Sequence, residues 1–144
     1  MPEQQSYQSH RRYFPAHHFI VVPILVVNFF IQAWRLVQNP TFDTGWVALV
    51  SLALMVFAFT SRVMALTAQN RIIRLEERMR LARLMPAEDQ TRIDELATRH
   101  LVGLRFADDS EVVDLARRCL SGELQTAEDV KKNVKTWRAD FLRA

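Results

Sequence analysis

Charged residues vanish from two stretches of this chain and crowd into the rest. Between Arg12 and Arg35 there is no Asp, Glu, Lys or Arg, and between Asp43 and Arg62 there is none either. The apolar positions collect in HFIVVPILVVNFFIQAWRLVQ, residues 18–38, and WVALVSLALMVFAFTSRVMAL, residues 46–66. Neither alternates with the period of two that marks a half-buried strand. Each holds about the 20 residues that, at about 1.5 Å of rise apiece, match a hydrocarbon core of about 30 Å. Both read as transmembrane helices. A cleaved secretory signal is the competing reading of the first, opposed by its long polar leader and by the lack of a small-x-small site after the apolar run.

Past the second block the pattern changes without a break. Ala65, Ala68, Ile72, Leu75, Met79 and Ala82 recur at spacings of 3, 4, 3, 4 and 3, and no Gly or Pro intervenes before Pro86. That is a narrow heptad seam, so the helix is expected to run on out of the membrane as an amphipathic juxtamembrane segment, residues 67–85. Glu76 and Arg80 are placed for an i, i+4 pair on its exposed side. Leu81, Leu84 and Met85 widen the apolar surface at its end, and the C-terminal segment is the nearest cover for them. Pro86 stops the helix, with Ala-Glu-Asp following in positions that suit a new start.

Three further helices are predicted: Thr98 to about Ala107, Asp109 to Ser121 closed by Gly122, and Thr126 to about Leu142. Thr126 and Asp129 resemble a capping pair. The expected inward positions are Leu101, Leu104 and Phe106; Val112, Leu115, Ala116, Cys119 and Leu120; and Val130, Val134, Trp137 and Phe141. The fold class is therefore all-α: an N-terminal arm over 1–15, a two-helix transmembrane hairpin within 16–66, the juxtamembrane helix, and a small helical domain over 86–144.

Charge adds orientation. Arg11 and Arg12 precede the first span, and Arg62, Arg71, Arg74, Arg78, Arg80 and Arg83 follow the second, whereas the connecting loop offers only Arg35 against Asp43. Basic flanks stay on the cytoplasmic side, so both termini are expected there. Trp34 and Trp46 then fall at the outer interface, with Tyr13 and Phe14 at the inner one. Residues 62–85 carry six Arg against Glu76 and Glu77, while 86–144 carry ten basic against twelve acidic residues. The basic excess is thus juxtamembrane, which points to anionic lipid headgroups held by Arg62, Arg71, Arg74, Arg78 and Arg80, and away from nucleic acid.

Inside the first span Asn28, Gln32 and Arg35 share one face at i, i+4 and i+7. Amides in hydrocarbon need polar company, so that face is expected to look at protein. The second span offers Ala48, Ser51, Met55, Ala58 and Arg62 at matching spacing. Pinning the hairpin, docking onto another membrane subunit and lining an ion or substrate path are the three readings of Asn28, Gln32, Ser51 and Ala58.

The residues that could carry chemistry have simpler structural roles. His10, His17 and His18 lack a Cys or acidic partner at ligand spacing, and His100 stands among helix-surface positions. The carboxylate pairs Asp94–Glu95 and Asp108–Asp109 fall at helix starts, where they complement the helix dipole. Three glycines build no phosphate loop. Cys119 reads as a small buried hydrophobe, and the basic side chains of KKNVKTWR as a solvated face. No cofactor, metal or catalytic residue is expected.

The runs RIIRLEERMRLARLMP, LVGLRFADD and KKNVKTWRADFLRA, with the HRRY leader, resemble a family of small bacterial membrane proteins known only by a domain of unknown function. The resemblance covers nearly the whole chain. It implies the same two-span layout with a cytoplasmic tail, in the bacterial inner membrane, and carries over no catalytic residue. The functional expectation is a non-enzymatic accessory subunit of a larger membrane complex, with respiratory and photosynthetic assemblies as candidate hosts. The alternative is a self-associating organiser that gathers anionic lipid or a cytoplasmic protein, and a small transporter or membrane enzyme ranks behind both. The expected partners are membrane lipids and other integral subunits or further copies of itself.

Overall fold

The computed structural model describes residues 15–140, and within them the regular structure is helical. A π-helical turn, Ala16–Val21, leads into α1, Val22–Gln38. Then follow α2, Phe42–Leu84; α3, Ala87–Gln90; a 3₁₀ turn, Ile93–Glu95; α4, Thr98–Leu104; α5, Val112–Leu120; and α6, Ala127–Asn133. Residues 15–66 belong to one compact unit and 67–140 to another, α2 passing from the first into the second. The arm over 1–14, with His10, Tyr13 and Phe14, lies outside the described residues, as does Phe141.

Ala16–Gln38 and Phe42–Leu84 are both long and apolar enough to cross a membrane. The widened first turns have a local cause. Pro23 has no N–H to give the carbonyl four residues back, and the ladder just before it shifts register, Val22 N–H reaching His17 O. Between the helices the turn is shorter than the sequence suggested. Thr41 and Thr44 cap each other, Thr44 N–H to Thr41 Oγ1 at 3.3 Å and Thr41 N–H to Thr44 Oγ1 at 3.0 Å. This starts α2 at Phe42, ahead of the expected Trp46, with Asp43 in the first turn where it complements the helix dipole.

In the first unit the covered side of α2 is Ala48, Ser51 and Ala58, all buried, with Met55 and Arg62 half-buried. Ser51 satisfies its hydroxyl on Ala48 O at 2.8 Å. Asn28 and Gln32 of α1 are half-buried and hydrogen bond to each other at 3.3 Å, Gln32 Nε2 donating. Arg35, on the same face, stands exposed in the last turn of α1, where a cation suits the helix dipole.

The second unit closes around Leu81, Met85, Leu101, Leu104, Phe106, Val112, Leu115 and Val130. The predicted inward faces of α4 and α5 are those that pack, with Ile93, Leu96 and Leu124 from the connections added to the core. Gly122, at φ +82°, ends α5 in the left-handed region that glycine enters freely. Gly103 lets α4 meet α6, since a Cβ there would lie 2.7 Å from Val130 Cβ. Thr126 and Asp129 form a full capping box at the start of α6.

The last helix is where the expectation fails. α6 ends at Asn133, not near Leu142, and the chain continues extended, pairing Trp137 with Ala107 in an antiparallel bridge. The Glu111 carboxylate accepts from the N–H groups of Lys135 and Thr136, at 3.1 and 2.9 Å, while Asp108 N–H reaches Thr136 O and Arg138 N–H reaches Phe106 O. Backbone groups that a helix would have used internally are satisfied across the domain instead.

Candidate functional site

The C-terminal half of α2 has two unlike faces. Ile73, Glu77, Arg80 and Leu81, with Met85 just past the helix end, are buried within the second unit. At 100° per residue these positions lie on the side opposite Ala68, Ile72, Leu75, Met79 and Ala82, which are all exposed. Ile72 is 57%, Leu75 62% and Met79 50% open, against 6% for the neighbouring Ile73. The domain has covered a stripe containing a Glu and an Arg and left the cleaner apolar stripe bare.

The covered face holds an ion-pair network. Arg80 Nη1 donates to Glu77 Oε2 at 3.0 Å, Nε to Asp109 Oδ1 at 2.7 Å, and Nη2 to Ala107 O at 2.7 Å. Arg138 Nη1 adds a longer contact to Glu77 Oε1, 3.7 Å. Burial pushes the Glu77 carboxyl above its ordinary range, and the Arg80 and Arg138 cations only partly offset that. The i, i+4 pair expected between Glu76 and Arg80 does not form: Arg80 turns inward to Glu77, three residues back. Among the described residues Glu76 and Arg71 make no ion pair, and both are exposed.

The arginines expected as one headgroup belt thus separate. Arg71 and Arg74 are exposed and Arg62 half-buried. Arg78 is held at the domain surface, its Nη1 3.0 Å from Asp94 Oδ1 and its Nη2 donating to Asp94 O. Arg80 is a buried structural cation, closed off from headgroups by its three partners.

An open cleft of about 760 Å³ lies beside the network; Ile72, Glu76, Glu77 and Met79 of α2 line one side of it and Arg105, Arg138 and Asp140 the other. Arg105 Nη1 stands 3.5 Å from Asp140 Oδ2, and its guanidinium lies 4.6 Å from the centroid of Phe106, whose ring tilts against Trp137. Cations and carboxylates alternate around the cleft, so it presents no single sign of charge. Sequence reasoning missed Glu77, Arg105 and Asp140. The available signal was that Glu77 sits midway between Ile73 and Leu81 at four-residue steps, on one helical face with two residues that bury.

Of two smaller sites, His100 departs from its expected position and Cys119 is buried as expected. His100, expected on a helix surface, is buried with Nε2 3.1 Å from Gln125 O, and burial lowers its pKa. The Cys119 thiol is buried and pushed up to about 11 by desolvation, so it stays protonated and poorly nucleophilic at neutral pH.

The family model described as a family of unknown function (DUF6526) matches residues 1–144, and the chain belongs to that family. No curated protein matches the chain, and no solved structure does.

Proposed function

We propose that this member of DUF6526 is a non-enzymatic accessory subunit of an inner-membrane assembly, anchored by a helical hairpin with both termini in the cytoplasm. The single observation that carries the reading is the Ile72, Leu75 and Met79 strip, left bare on a helix whose opposite face its own domain already uses. Large apolar side chains on a charged, water-exposed segment mark a surface that polypeptide closes, whether another subunit or a further copy of the chain. Along the two apolar helices Phe30, Trp34, Trp46, Phe57 and Phe59 are also exposed, which supports lipid as their surroundings. Asn28 and Gln32 satisfy part of their amide hydrogen bonding on each other.

The test is gentle solubilisation of native membranes and native separation, with every co-migrating chain identified. The expected result is a species containing other integral subunits. Wild-type protein that migrates with nothing but itself overturns the accessory role.

A second reading has its own support. Arg62 and Arg74 make no ion pair among the described residues, so they remain available to anionic headgroups. Replacing both by Gln should weaken the preference of the reconstituted chain for acidic over neutral liposomes. An unchanged preference removes this reading.

A further inference from the structure

The bare strip has a register as well as an apolar character. With Ile72 at a heptad a position, Ala65 and Met79 are also a, and Ala68, Leu75 and Ala82 are d. The domain-covered residues Ile73, Glu77, Arg80 and Leu81 then fall at b, f, b and c, on the outer side of such a helix. The domain core is therefore packed where a coiled coil is conventionally free, and the a/d seam is exposed, with Ile72 and Met79 at the edge of the cleft that Arg138 and Asp140 line.

We propose that the strip is occupied by a second copy of this chain, the two α2 segments pairing in parallel. This rests on the membrane reading above, because two chains anchored in one bilayer with the same orientation bring their α2 helices out side by side and in the same direction. At the centre of the seam, between alanines and Met79, β-branched Ile72 at a with Leu75 at d is the combination that favours parallel dimers. The flanks agree too. Arg71 at g faces, in a parallel pair, the e position five residues on in the other helix, and that residue is Glu76.

Both are exposed, and within the described residues neither has an ion-pair partner in its own chain. The next pair in the same geometry would set Arg78 against Arg83, but Arg78 is drawn aside by Asp94 and Arg83 Nε donates to Met79 O. The seam is short for a free coiled coil, and confinement of both anchors to one membrane supplies the effective concentration it needs.

The experiment uses the full chain in proteoliposomes at high lipid-to-protein ratio, in a Cys119→Ala background. Leu75→Cys, at d, should oxidise to a disulfide-linked dimer at least about tenfold faster than Arg74→Cys at the outer c position, because only the d side chains reach bridging distance. Adding Arg71→Glu, or Glu76→Arg, should slow cross-linking, and both together should restore it. Equal rates at positions 74 and 75 overturn the seam, and failure of the double swap to restore the rate overturns the parallel register. Leu75→Cys protein that resists carbonate extraction yet does not cross-link overturns the second copy and leaves the membrane reading intact. Protein that carbonate releases overturns the anchoring, and the parallel pairing with it.

Discussion

Consecutive residues of α2 have opposite fates: Ile72 is bare and Ile73 buried, Glu76 is exposed and Glu77 enclosed, Met79 is open and Arg80 sealed in. The side chains in the first two pairs are chemically identical, so composition did not sort them. What sorts them is the 100° between neighbours on a helix and the domain that folds back on one side. The lesson is that the more apolar stripe is not always the one a chain buries against itself. Here the inner contact uses aliphatic residues around an ion pair, and the cleaner stripe is left exposed.

The largest effect that separates the two faces comes from Arg80. Replacing it by Met keeps most of the stem but leaves the Glu77 carboxylate enclosed without its main counter-charge. Breaking one partner of a buried pair costs about 3–5 kcal/mol. Arg80→Met should therefore lower the stability of the second unit by that amount, read as loss of hydrogen-exchange protection in α4 and α5 of the full chain in detergent. Adding Glu77→Gln should recover part of it. A loss under about 1 kcal/mol would mean the network is as dispensable as a surface salt bridge.

Next in size is the isoleucine pair. Ile73→Ala removes a side chain that is almost wholly buried and should cost about 2–5 kcal/mol in the same measurement. Ile72→Ala should change it by no more than about 0.5 kcal/mol, since the residue is 57% exposed. Equal losses at the two positions would erase the distinction between the faces.

A smaller, kinetic effect is expected at Cys119, which belongs to the covered side of α5. With its thiol raised to about 11 and buried, maleimide labelling at neutral pH should be limited by opening of the domain. Arg80→Met should then accelerate it by about tenfold for each 1.4 kcal/mol of stability lost. Labelling of the wild type as fast as a free thiol would place Cys119 outside the core.

How far the sequence disclosed this arrangement depends on how local each signal was. The two apolar blocks, the stop at Pro86, the glycine at 122 and the Thr126–Asp129 cap are written in neighbouring residues, and each was legible. The covered face of α2 in the first unit followed from small residues at helical spacing. The end of α6 did not: Val134 and Trp137 continue a helical pattern, and only Glu111, more than twenty residues away, takes the backbone N–H groups that turn the chain extended. Arg80 was misplaced for the same reason. Its partners Asp109 and the carbonyl of Ala107 lie in another element, and an arginine in a basic run gives no local hint that it is buried.

The smallest test bears on the sign of the energetics inside the network. Burial raises the Glu77 carboxyl above its ordinary value of 4.5, and Arg80 and Arg138 pull it back only in part. A group whose folded pKa is raised contributes stability that is complete below its unfolded value and is lost as pH rises through the folded one. The stability of wild type relative to Glu77→Gln, which cannot titrate, should therefore decline as pH rises from about 4.5 toward neutrality. If the difference instead grows over that window, the guanidinium contacts outweigh desolvation. The enclosed face would then be held by its charges as well as by Ile73, Leu81 and Met85, and its contrast with the bare strip would be electrostatic as much as apolar.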